Sequence, residues 1–125
     1  MAGSAFVHGL NDIVFIGGAP DSTFQKEVKI KAELTKAAVN PDSKRVEQMK
    51  SELLNFYEGH EGFDRRLLQF NTVNKTIAEV GGFTSFCPVT TNAIPYGDGA
   101  IVACGEIKPG IRTPDIFKIK IRSGK

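Results

Sequence analysis

The residue types that invite chemistry are the two histidines, His8 and His60, the two cysteines, Cys87 and Cys104, and an acid such as Asp98. A thiol from Cys87 or Cys104, a base from His60 and a carboxylate such as Asp98 would complete a cysteine–histidine–acid set. Their spacing does nothing to gather them. Cys104 closes the run Ala-Ile-Val-Ala-Cys over 100–104, which reads as core, where a thiol is inert. Cys87 precedes Pro88 and reads as nearer the surface. Metal chemistry fares worse. Neither histidine has a second His or Cys at ligand spacing, and there is no C-x-x-C pair. No metal or cofactor is therefore expected, and both cysteines read as small hydrophobes.

Phosphate and calcium loops fail in the same way. Gly17-Gly18-Ala19-Pro20 follows an apolar run, the right place for a phosphate cradle. It lacks the Lys-Ser/Thr ending of a P-loop and the third glycine of a dinucleotide fingerprint. Tyr96-Gly97-Asp98-Gly99 offers a single carboxylate, where calcium wants several oxygens in register. Both stretches read as turns.

Charge points to contact rather than catalysis. The net charge of the 125 residues is +2, too small to imply nucleic acid by itself. It is unevenly spread: Lys108, Arg112, Lys118, Lys120, Arg122 and Lys125 face one acid, Asp115, in the C-terminal stretch. Phe117, Ile119 and Ile121 alternate there with Lys118, Lys120 and Arg122, a strand with one basic face. Lysines at a two-residue spacing lie about 6.6–6.8 Å apart, near the phosphate repeat of an extended strand. No aromatic interleaves with them for base stacking, so nucleic acid is the second choice.

Elements must hold these groups, and the pattern supplies candidates. Residues 1–10, small and apolar, read as an arm. Ile13-Val14-Phe15-Ile16 reads as a buried strand closed by Gly17-Gly18. Over 24–35, Phe24, Val28, Ile30, Ala32 and Leu34 take even positions and charged residues mostly odd ones. That alternation favours a second strand, paired to the first through 17–23; a helix would place Phe24, Val28 and Ala32 on one stripe but leave Ile30 and Leu34 off it. Asn40 as N-cap and Pro41 at the first position open a helix whose stripe is Val46, Met49, Leu53, Phe56 and Tyr57. Phe63, Leu67, Phe70, Val73, Ile77 and Val80 suggest another, although Asn71, Thr72, Val73 and Thr76 are poor helix formers and Leu67–Phe70 could be a short strand. Phe83–Val89, Ala100–Glu106 and the basic segment read as strands around two turns, Pro95–Gly99 and Lys108–Gly110.

The expectation is one α+β domain: a mostly antiparallel sheet of four or five strands from 12–35 and 83–122, covered on one face by a helical hairpin over 41–80. Two cysteines and no basic, apolar leader suggest a reducing cytoplasm or an intracellularly assembled particle, not secretion by a signal peptide. No apolar run reaches the roughly 20 residues of a membrane span. The favoured function is non-enzymatic: a structural or assembly subunit that docks protein partners or its own copies, as in a viral or phage particle or as a linker in a complex. Its candidate contacts are Phe83, Phe86, Tyr96, Lys118, Lys120 and Arg122. A nucleic-acid module using the basic strand is the alternative, and a small enzyme around Cys87, His60 and Asp98 the third reading.

Overall fold

A computed structural model describes residues 3–39 and 43–121. The chain is α+β, and the described residues form nine elements in order: β1 (Ser4–His8), β2 (Asp12–Ile16), α1 (Asp21–Val39), α2 (Ser43–Glu58), β3 (Arg66–Asn71), β4 (Thr76–Gly82), β5 (Ala93–Tyr96), β6 (Gly99–Lys108) and β7 (Ile111–Lys120). All strand pairing is antiparallel. The strands form two sheets, β1-β2-β3-β4 and β5-β6-β7, rather than one. By contacts the chain divides into a sheet unit, Met1–Ala19 with Gly62–Lys125, and a helical unit, Pro20–Glu61. Among the described residues no helix is long and apolar enough to cross a membrane.

In the helical unit, α1 and α2 pack as an antiparallel pair. The strand expected over 24–35 is helix instead. Glu, Lys, Gln and Ala dominate the segment and favour helix, and alternation over so short a run also contains helical spacings. The buried positions are Glu27, Ile30 and Ala37, spaced three and seven apart. Lys31 Nζ donates to Glu27 Oε1 at 2.6 Å, one turn away, and Tyr57 Oη of α2 donates to the same oxygen at 3.0 Å. Met49 is buried, and Val46, Leu53, Phe56 and Tyr57 are half-buried beside it, as the stripe required. The expected cap at Asn40 and Pro41 lies outside the described residues.

In the sheet unit the arm is a strand: β1 pairs along its length with β2, and Phe6 is buried. The helix expected over 63–80 is the hairpin β3–β4. Asn71 Oδ1 accepts from the amides of Val73 and Asn74, and Asn74 Oδ1 from that of Thr76. These side chains satisfy a turn where a helix would have needed its own carbonyls. The strand expected at Phe83–Val89 is reduced to one bridge, Val89 to Glu106, and β5 takes its place. The turns fall where expected. Gly97-Asp98 joins β5 to β6, and Pro109-Gly110, with Gly110 at φ 75°, joins β6 to β7.

The two sheets stack through one core. Phe6, Val14, Ile16 and Leu67 of the first meet Cys87, Ala100, Val102, Ile119 and Ile121. Phe83 and Phe117 close its margin edge-to-face, with ring centroids 5.3 Å apart. The backbones approach closely there. A Cβ on Gly17 would lie 2.7 Å from Cys87 Sγ, and one on Gly99 would run into the Ile119 carbonyl oxygen.

Candidate functional site

Strand alternation gives each sheet an inner face, against its neighbour, and an outer one. In the four-stranded sheet the register aligns Ala5, Phe15 and Leu68 in one row, and Val7, Ile13, Phe70 and Ile77 in the next. These residues belong to the outer face. Seven apolar side chains thus stand side by side away from the core. Val7 is 63% exposed, Phe15 45% and Ile77 67%, while Ile13, Leu68 and Phe70 are half-buried. Scattered exposed hydrophobes are ordinary, but a contiguous set on one sheet face marks a surface to be covered.

The three-stranded sheet repeats the pattern. Ile94, Ile101 and Lys118 align across its outer face, with Tyr96 and Lys120 one step along and Ala103 beside Ile116. Ile94 is 61% exposed and Ile116 70%. Lys118 Nζ sits 5.0 Å from the centre of the Tyr96 ring, close enough for a cation–π contact. A shallow cleft of about 450 Å³ opens where the end of β4 meets β7; Val80, Gly82, Phe83, Lys118 and Lys120 help line it. Among the described residues no histidine, cysteine or acid does.

Of the six expected contact residues, three come together: Tyr96, Lys118 and Lys120 share one outer face. Phe83 is instead half-buried at the core margin against Phe117. Phe86 lies elsewhere, its ring near Arg65 and Lys108 with centroid distances of 5.7 and 5.6 Å. Arg122 lies outside the described residues. What the sequence reading missed is the outer face of β1–β4, because three of its four strands, β1, β3 and β4, were read as an arm and a helix. The one available signal was Ile13-Val14-Phe15-Ile16, since an unbroken apolar run suits a strand covered on both sides.

The groups considered for chemistry are dispersed or quenched. Cys87, expected nearer the surface, has no exposed area, and burial, with the Asp64 carboxylate adding to it, pushes its thiol up to about 12. Cys104, expected in the core, is exposed, at a bulge between Ala103 and Gly105 where its φ is 58°. The register shift turns it out of the alternation that the sequence implied. His60 is buried in the helical unit and meets the Phe56 ring edge-to-face. Asp64 is held below the usual carboxylate range chiefly by its hydrogen bonds from Arg66, whose side chain grips both of its oxygens. Among the described residues no three His, Cys, Asp or Glu side chains could share a metal ion.

Comparison with known proteins adds a fold. No family model matches the chain, and no curated protein matches its sequence. The solved structure of YjhT superposes with a TM-score of 0.71 at 20% identity, over 94% of this chain and 32% of that one. The two share a fold across nearly all of this sequence. The chain spans about a third of YjhT's length.

Proposed function

We propose that this chain is a non-enzymatic docking module, a pair of stacked sheets whose two outer faces are built to be covered by protein. The observation that carries this reading is the outer face of β1–β4, as apolar in its residues as the buried inner face. Ala5, Val7, Ile13, Phe15, Leu68, Phe70 and Ile77 gain their stabilisation only when another surface removes them from water. The outer face of β5–β7, with Ile94, Ile101 and Ile116, supports the same reading at the other end of the stack. Antiparallel meanders stacked face to face are the unit that β-propellers repeat radially, which is one way such faces are covered.

Dye binding tests it. At high dilution the protein should bind a hydrophobic fluorescent dye, and Val7→Lys with Ile77→Lys should lower that signal, leaving the share of the β5–β7 face, with the circular dichroism unchanged. A protein that binds no dye, or a variant that binds it equally well, would overturn the reading. The nucleic-acid alternative has one observation in its favour, an exposed Tyr96 beside Lys118 and Lys120. It predicts single-strand binding that falls steeply with salt, whereas apolar docking does not.

A further inference from the structure

We infer that the partner is a second copy of this chain, stacked head to tail: the outer face of β1–β4 in one copy is covered by the outer face of β5–β7 in the next. This rests on the docking proposal and names its occupant. The first ground is that the chain already contains the required joint. Its own four-stranded sheet packs on its own three-stranded sheet through apolar rows, Phe6, Val14 and Ile16 against Ala100, Val102 and Ile119. The remaining faces offer the same chemistry in the same order, with Val7, Phe15 and Ile77 on one and Ile94, Ile101 and Ile116 on the other.

The second ground is charge. Inside the chain β1 lies beside β5, and the cleft shows the end of β4 beside β7. Repeating that alignment between copies brings β4's outer face onto β7's outer face. Glu79 stands on the first, in the row of Leu68, and Lys118 and Lys120 stand on the second. Glu79 and Lys120 make no ion pair among the described residues, and Lys118 has only the Tyr96 ring. Arg66 lies near enough for the Glu79 charge to act on it, but it is forked onto Asp64, so Asp64, Arg66 and Glu79 together leave one net negative charge. The two faces thus carry opposite charge at the edge where this stacking makes them meet, and two copies of the same face do not.

A contact between two different faces is of the heterologous kind that closes into a ring or runs on, whereas a face paired with its own copy gives an isologous dimer, and the blocked variants below tell the two apart. Occupation by a sheet of another protein remains an outcome of the test.

Sedimentation equilibrium of the whole chain over a wide concentration range decides it. The average mass should rise with concentration above the monomer's 13.6 kDa. Val7→Lys with Ile77→Lys spoils one face, and Ile94→Glu with Ile116→Glu spoils the other; each double variant alone should stay monomeric. Mixed, they retain one good face each and should form a species of twice the monomer mass and nothing larger. Within that mixed dimer, Glu79→Lys should weaken binding roughly threefold, and adding Lys118→Glu on the other copy should restore it. A wild type that stays monomeric while still binding dye overturns self-association and leaves the docking proposal standing, with another protein as the occupant. A mixture that stays monomeric, or a single blocked variant that still associates, overturns the head-to-tail pairing. Loss of dye binding as well overturns both.

Discussion

Val14 and Phe15 are neighbours in β2, yet one has no exposed area and the other is 45% exposed. The same holds across the sheet: Phe6 and Ile16 are buried against β5–β7, while Val7 and Ile77 stand open. The two faces differ little in hydrophobicity and entirely in what covers them. Apolar character alone therefore does not decide burial; what packs against the face does. The helical unit is mixed: Ile30, Ala37 and Met49 are buried, Phe24, Val28 and Leu54 are exposed, and Glu33 pairs with Lys36 and Arg45 at the surface.

The largest expected difference between the faces is in folding energy. Ile16→Ala should lower stability by about 2–5 kcal/mol, whereas Phe15→Ala in the dilute protein should cost less than about half of that. Denaturant titration measures both, and equal losses would mean that the faces are not distinct.

A close approach comes next. Gly17 takes φ 63°, and a Cβ there would press on Cys87 Sγ. Gly17→Ala should cost about 1–3 kcal/mol, from strain at positive φ and from overpacking. Adding Cys87→Ala should return part of that loss, in a double-mutant cycle followed by thermal melting. Strict additivity would mean that the sulfur is not what the methyl meets.

A smaller effect separates the helical unit from the sheets. Burial pushes the Glu27 carboxyl up, but hydrogen bonds from Lys31 and Tyr57, aided by the Lys31 charge, outweigh it and hold the group below its ordinary 4.5. A carboxyl depressed by folding contributes stability above its unfolded value and loses it as pH falls through the folded one. The wild type should therefore lead Glu27→Gln by about 1 kcal/mol near neutrality and lose that lead in the acid range below 4.5. Melts at two pH values suffice, and a lead that grows in acid contradicts the sign. The smallest change should follow Lys118→Gln, within about 0.5 kcal/mol, since the lysine is exposed and its one contact is an aromatic face in water.

How far the sequence could be read depended on whether its pattern had one local solution. The α2 stripe of Val46, Met49, Leu53, Phe56 and Tyr57 fits only a helix, and Ile13–Ile16 between polar and glycine residues fits a strand. Pro109-Gly110 and Gly97-Asp98 announced their turns by the conformations that only such residues favour. The stretches at 24–35 and 63–80 had two solutions each. Five even-numbered apolar residues suit a strand until the charged residues between them find partners one helical turn apart. Phe63, Leu67, Phe70 and Val73 suit a helix until Asn71 and Asn74 bend the chain into a hairpin. Of the candidate contacts, Lys118 and Lys120 could be set on one face by alternation, whereas Tyr96, read in a turn, joins them only through the pairing of β5 with β6, and Phe83 was drawn into the core margin by a ring on another strand.

The sequence by itself determined the class, α+β with antiparallel strands, and the helix α2, because hydrophobic period and turn chemistry act over a few residues. It also determined the poverty of reactive groups, since counts of His, Cys and acids need no folding to be read. The tertiary structure alone decided that there are two sheets, that Cys87 is sealed while Cys104 is turned out, and that apolar rows from β1, β2, β3 and β4 lie on one open face. Those facts depend on strand register, and register is set by which distant segments pair and where bulges fall.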